Sequence, residues 1–354
     1  MRGKKNKKII IALIIIVCIG FLASICGVYA GWKIIFANNI SKNAAQYLYI
    51  PQGSDFETVK HIIENQHILK NPRTFFWLTE KRNYKGNVHS GKYRIEKQMS
   101  NLALLRKLRS GYQEPVEITF HNIRTKASLS KVLSSEIELD SAQIYNALIN
   151  NEICNHYGLD THNILCLFLP DTYEVWWDMT QEELLNRMQK EFNKFWTQER
   201  REKATLAGLT PVEVIILASI VEEENHRSAE QPRIAGLYIN RLKRGMRLQA
   251  DPTVKFAVGD FTLKQVLKRH LKTVSPYNTY LIKGLPPGPI CIPSKKCIDN
   301  VLNYEKNDYI YMCAKEDLSG YHNFAKTGAE HARNSAKYHK ALKKYLKNQK
   351  NKSK

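Results

Sequence analysis

No C-x-x-C pair occurs in the 354 residues, and the seven cysteines form no disulfide framework. Cys18 and Cys26 fall in an apolar N-terminal run, leaving the odd set Cys154, Cys166, Cys291, Cys297 and Cys313. Of these, Cys291 and Cys297 can either pair outside a membrane or stay as buried thiols. The histidines are scattered without ligand spacing, so neither a metal nor a cofactor is predicted. Internal repeats and low-complexity linkers are missing too, which excludes a solenoid or a long disordered spacer. Acidic residues are scarce, 33 Asp and Glu against 54 Lys and Arg, for a net charge of +21. Such an excess ordinarily suggests nucleic-acid binding. Its distribution argues against that: Arg2, Lys4, Lys5, Lys7 and Lys8 precede the apolar run, and nine basic residues with no acid lie between Arg333 and Lys354, leaving +7 for everything between. No nucleic-acid partner is therefore predicted. The lysine-rich tail, residues 341–354, is either a solvated helix end or a segment attracted to anionic lipid or acidic wall polymer.

One long hydrophobic run is present. Ile9 to Trp32 is 24 residues without a charge, longer than the roughly 20 that span a bilayer as a helix. The basic residues 1–8 before it predict a cytoplasmic N-terminus by the positive-inside rule. A cleaved signal peptide is the competing reading, but its apolar region is usually only about 7 to 15 residues long. The expectation is a retained single-pass anchor over 9–32, with the rest of the chain outside the cytoplasm.

The densest chemistry lies in TPVEVIILASIVEEEN, Thr210 to Asn225. Thr210, Pro211 and Glu213 form a capping box with proline at the first helical position, and from Val212 to Val221 only Glu213 and Ser219 are polar. A helix that apolar belongs inside a domain. Glu222, Glu223 and Glu224 then meet the partially negative end of the helix dipole, which disfavours ionisation and predicts at least one raised pKa. A carboxylic acid that stays protonated near neutral pH can serve as a general acid. The plainer reading is that the three glutamates mark where a core helix reaches water. Residues three and four apart share a helical face. Glu224 thus continues the stripe of Leu217, Ile220 and Val221 and ranks first, Glu222 ranks second, and Glu223 is expected to be the most solvated.

Further motifs follow: IAGLYINRLKRGMRLQADPTVKFAVG (Ile234 to Gly259) and SPYNTYLIKGLPPGPICIP (Ser275 to Pro293). Upstream stand FLPDTYEV (Phe168 to Val175) and SGKYRI (Ser90 to Ile95), and downstream DYIYMCA and the H-x-F of His322 and Phe324. With ASIVEEEN, these runs resemble the YceG-like (MltG) family of endolytic murein transglycosylases over nearly everything after the anchor. The resemblance implies an α+β protein: a transmembrane helix, a small LysM-like α/β module over 45–112 in contact with glycan, and a mixed α+β catalytic domain over 113–340. By periodicity alone the first of these domains is merely a small mixed unit. The resemblance also implies location at the inner (cytoplasmic) membrane with the catalytic domain periplasmic. Peptidoglycan glycan strands are the implied substrate and peptidoglycan synthases candidate partners. Family catalysis rests on the second glutamate of an E-x-E, here Glu224, with Glu222 the first. The family commonly places Thr or Ser next, whereas this chain has Asn225.

Sugar recognition calls for hydrogen-bonding groups beside aromatic faces, and Gln249, Asp251, Tyr277, Asn278, Thr279 and Tyr280 supply both. Asp251-Pro252-Thr253 can instead be a helix cap and Asn278-Thr279 a turn device. Asp171 to Tyr173 is a second candidate lip. The segment Gly284 to Pro289 is too rich in proline for a helix or central strand and is expected to form a fixed wall, either of the groove or at the end of the fold. Phe192, Phe195 and Trp196 read as core. The implied reaction cuts the bond between N-acetylmuramic acid and N-acetylglucosamine and leaves a 1,6-anhydromuramyl end. A muramidase-type hydrolase, needing two placed carboxylates, and a non-catalytic wall-binding scaffold are the alternatives.

Overall fold

A computed structural model describes residues 2–263 and 265–352, without the side chains of 2–6 and 350–352. The fold is α+β. Two compact units emerge, one comprising the residues up to Val116 with Glu174–Met179, the other Glu117–Tyr173 with the residues from Thr180 on.

The first unit opens with α1 (Arg2–Phe36), whose stretch Lys7–Phe36 is long and apolar enough to cross a membrane. Then come β1 (Tyr47–Ile50), α2 (Phe56–Asn65), α3 (Pro72–Lys81), β2 (Gly91–Arg94) and α4 (Asn101–Ser110). Each helix starts where a local device requires it. Asp55 accepts the amide of Thr58, Pro72 occupies the first turn of α3, and Ser100 accepts the amide of Ala103. Strands β1 and β2 run antiparallel, Tyr47 opposite Arg94 and Ile50 opposite Gly91. Their alternate residues Leu48, Ile50 and Tyr93 point into a core with Val59, Ile63, Phe75, Leu78 and Leu104. Buried Asn101 accepts from Asn39 (2.7 Å) and donates to the Ile34 carbonyl (2.7 Å), so hydrogen bonds fasten the end of α1 to α4.

The second unit contains most of β3 (Val116–Phe120), α5 (Lys126–Leu133), α6 (Ser141–Ile149), α7 (Asn151–His156), the first part of β4 (Asp171–Val175), α8 (Gln181–Phe195), α9 (Gln198–Ala207), α10 (Pro211–Glu224), α11 (Gln231–Lys243), α12 (Asp251–Val258), α13 (Lys295–Leu302), β5 (Tyr311–Ala314), β6 (His322–Ala325) and α14 (Gly328–Lys352). β3 pairs with β4, and β5 runs antiparallel to β6 with Ala314 opposite His322. The axis of this unit is α10. Its capping box is formed in both directions between Thr210 and Glu213, and every residue from Val214 to Val221 is buried. Helices α9, α11, α12 and α13 pack around it. Phe195 and Trp196 join the same core. Ser219 is satisfied in that core, because its hydroxyl donates to the Ile216 carbonyl and accepts the Ile290 amide. Through that bond, the chain leaving the Gly284–Pro289 segment is laid against α10. All seven cysteines are free; Cys291 and Cys297 are buried, their thiols directed at the carbonyls of Ser219 and Ala218.

Candidate active site

The end of α10 opens on a cavity of about 200 Å³ lined by Glu224, Tyr238, Arg241, Gln249, Asp251 and Tyr280, with His322 and Met312–Ala314 of the β5–β6 hairpin on another side. Three glutamates in succession diverge because successive helical side chains are rotated about 100° from one another. Only Glu224 reaches the cavity. Glu222 accepts the backbone amide of Ser294 (2.7 Å) at the start of α13. Glu223 forms an ion pair with Arg124 (2.9 Å). An arginine from the β3–α5 connection thus meets Glu223, which helical periodicity cannot foresee.

Glu224 accepts a 2.7 Å hydrogen bond from the hydroxyl of Tyr238, a wholly buried residue of α11. Loss of solvation pushes the Glu224 carboxyl up to about 7, the charge of Asp251 adds to the rise, and the Tyr238 bond works against it. Burial, and then the neighbouring Glu224, push the Tyr238 phenol well above its ordinary range, so it stays a donor. Desolvation is the largest cause of the rise at Glu224. Arg241, buried on α11, sends its guanidinium to the carbonyls of Ile310 (2.6 Å) and Leu248 (2.6 Å), which ties α11 to the strands and to the loop before α12.

That loop turns at Gln249, one of the few non-glycine residues with a left-handed backbone (φ 51°). Its amide donates to the Thr279 carbonyl (3.1 Å) while the residue lines the cavity. Asp251, first residue of α12, accepts from the Tyr280 hydroxyl (2.6 Å). Glu230 completes the surround. Burial alone would raise its carboxyl, but His322 Nδ1 (2.8 Å), the His322 amide (2.9 Å) and Asn225 Nδ2 (2.6 Å) all donate to it and hold it below the usual range. Because a carboxylate only accepts, His322 carries its proton on Nδ1. Asn225 thus supports Glu230, and not Glu224 beside it in sequence.

The model of the YceG-like family matches residues 48–337. The chain belongs to the YceG-like family. It is similar to the endolytic murein transglycosylase of Bacillus subtilis, 28% identical over 307 residues that cover 82% of this chain and 83% of that one. An endolytic murein transglycosylase of Streptococcus pneumoniae is 26% identical over 358 residues, 90% of this chain and 64% of its own length. The 2.6 Å crystal structure of a yceG-like protein from Listeria monocytogenes superposes with a TM-score of 0.52 at 25% identity, covering 83% of this chain and 99% of that one.

In this YceG-like chain the residues picked out in the sequence separate by place. Glu224, Gln249, Asp251 and Tyr280 share the cavity. Asn278 and Thr279 are fully buried. The Asn278 amide donates to the carbonyls of Leu271 and Thr273, and the Thr279 hydroxyl accepts the Ala250 amide, so both hold the loop beneath the cavity. Tyr277 turns away onto Phe256, ring centroids 4.7 Å apart. Tyr173 is buried, its hydroxyl on the Leu169 carbonyl, and Asp171 is ion-paired with Lys295. Tyr238, Arg241, Glu230 and His322 were not singled out as site residues. Tyr238 and Arg241 stand in the Ile234–Gly259 motif and His322 in the H-x-F, but no local pattern aims them at Glu224.

Proposed function

We propose that this chain is an endolytic lytic transglycosylase of murein that works with one acid, Glu224. What carries the reading is a desolvated carboxyl, raised to about 7, at the edge of a polar cavity, in a chain whose named relatives are endolytic murein transglycosylases. The enzyme is a lyase. Glu224 gives its proton to the glycosidic oxygen as the bond from muramyl C1 breaks. The resulting carboxylate takes the proton of the muramyl C6 hydroxyl as O6 closes on C1. The acid is restored, no water is consumed, and the product carries a 1,6-anhydromuramyl end. Because the nucleophile belongs to the substrate, proximity replaces a bound water and no second catalytic carboxylate is needed. Gln249, Asp251 and Tyr280 supply hydrogen bonds to the sugar, while Glu222, paired with the Ser294 amide, supports the helix end. The Glu230–His322 pair holds an imidazole at the cavity wall.

The small first unit, as the LysM-like module, contacts glycan. α1 anchors the protein once in the cytoplasmic membrane, its basic end inside and the enzyme outside. A reporter active only in the cytoplasm and fused after Lys354 should stay silent, and strong signal would overturn the orientation. A hydrolytic reading is favoured by one observation, that Asp251 shares the cavity as a second carboxylate. Mass spectrometry of sacculi treated with the protein separates the two. Fragments one water lighter than muramidase products, with ends that resist borohydride, support the lyase, whereas reducible muramyl ends mean that water attacked.

A further inference from the structure

A second cavity of about 310 Å³ lies in the same unit, lined among others by Arg124, Lys126, Tyr145, His162, Phe256 and Tyr277. Its chemistry differs from that of the catalytic cavity, since basic and aromatic groups meet here and no carboxylate lines it. Lys126 is half-buried with no ion pair among the described residues. Burial pulls its ammonium below the ordinary range, against the opposing pull of Cys154 and Asp160. Asp160 does not line the cavity and uses Oδ1 on the backbone amides of His162 and Asn163. Arg124 spans Glu223 and the face of Phe261. Tyr277 and Phe256 form an aromatic wall against which His162 leans, ring centroids 6.4 Å apart. The wall is close-set, since a Cβ on Gly288 would meet the His162 carbonyl at 2.0 Å and the Tyr277 hydroxyl at 3.0 Å.

Two segments join this cavity to the catalytic one. Helix α12 presents Asp251 to the catalytic cavity and Phe256 to the second, about 8 Å farther along the helix at ~1.5 Å per residue. The loop after it presents Tyr280 to the first and Tyr277 to the second. Resting on the proposed murein substrate, we infer that the second cavity receives the carboxylate-bearing peptide that branches from the muramyl sugar. A branch of four residues extends up to about 14 Å, longer than the ~8 Å that separates Asp251 from Phe256 along α12. The half-buried ammonium with no ion pair supplies the complementary charge, and the aromatic wall packs the peptide's aliphatic side chains.

The test compares the full chain in detergent on murein strands that carry their peptides and on the same strands stripped by an amidase. For Lys126→Met, the ratio of the rate on peptide-bearing strands to that on stripped strands should fall about tenfold, the scale of one charge-assisted hydrogen bond. Lys126→Arg should restore most of it. A misfolded variant loses both substrates alike, and an unchanged ratio in a variant that still cuts overturns the inference. A second measurement stands apart from cleavage: calorimetric titration of the wild-type chain with a free stem tetrapeptide and with its fully amidated form. Binding that is stronger for the acid, and weakened by Lys126→Met, supports the site; equal binding of acid and amide overturns it. A wild type that cuts neither strand defeats the enzymatic reading, while the titration still decides this one.

Discussion

Helices α1 and α10 each contain a strongly apolar stretch, but every large apolar side chain from Ile9 to Trp32 of α1 is exposed, while Val214 to Val221 of α10 are all buried. Length separates them first. The apolar stretch of α1 is 30 residues, enough to cross a bilayer core of about 30 Å, whereas the 14 residues of α10 rise only about 21 Å. Neighbours separate them next, because α9, α11, α12 and α13 enclose α10. Apolar composition alone says that a helix leaves water. The surroundings decide whether it enters lipid or protein, and only inside protein can its end hold a carboxyl against a tyrosine.

The largest effect should come from the end of α10. Glu224→Gln should keep the fold and glycan binding while lowering the cleavage rate by about 10²- to 10⁴-fold, the worth of a general acid; substantial turnover in that variant would remove Glu224 from the mechanism. The same substitution should alter stability in a definite direction. The folded carboxyl is raised to about 7, so its contribution is complete below the ordinary carboxyl value and disappears as pH rises through about 7. Denaturation from pH 5 to 8 should show the wild type losing stability that Glu224→Gln does not lose.

Next in size is the body of the helix. Leu217→Ala should destabilise the enzyme by about 2–5 kcal/mol as a core truncation. Ile15→Ala, the matching change in α1, should leave the unfolding midpoint of the same protein unmoved. Equal losses at both positions would mean that α1 packs against protein.

A smaller effect is expected at Tyr238→Phe. Its hydroxyl bond lowers the Glu224 carboxyl against the dominant desolvation, so removing it should move the alkaline fall in cleavage to higher pH with less than about a tenfold change in maximal rate. A limb that moves to lower pH would contradict the assignment of that bond. The smallest effect belongs to Glu223→Gln, which breaks a partly exposed pair with Arg124 worth under about 1 kcal/mol. Cleavage of peptide-free glycan should stay within about twofold of wild type.

The start of α10 could be read directly because capping is local: Thr210 and Glu213 lie one helical turn apart and complete each other's hydrogen bonds. The preference for Glu224 over its neighbours could also be read, since the apolar stripe continues across its side chain. The loop residues Tyr277 to Tyr280 were less legible. A run of hydrogen-bonding and aromatic types does not say that Asn278 and Thr279 turn inward to brace the backbone while Tyr277 and Tyr280 face different cavities. Asp171 and Tyr173 have the composition of a lip, and they part in the structure: Asp171 is exposed and ion-paired with Lys295, whereas Tyr173 is buried.

The sequence by itself determined the apolar anchor candidate, the α+β character, the capped core helix and the apolar stripe that ends at Glu224, the proposed acid, because charge, hydrophobic period and capping act over one or a few turns. Tertiary structure alone decided what surrounds that acid. Tyr238 comes from the next helix, Asp251 and Tyr280 from the helix and loop beyond, and His322, held by Glu230 at the start of α11, from a hairpin almost 100 residues away in the chain. A raised pKa depends on solvation lost to several packed elements at once, and no stretch of sequence contains all of them.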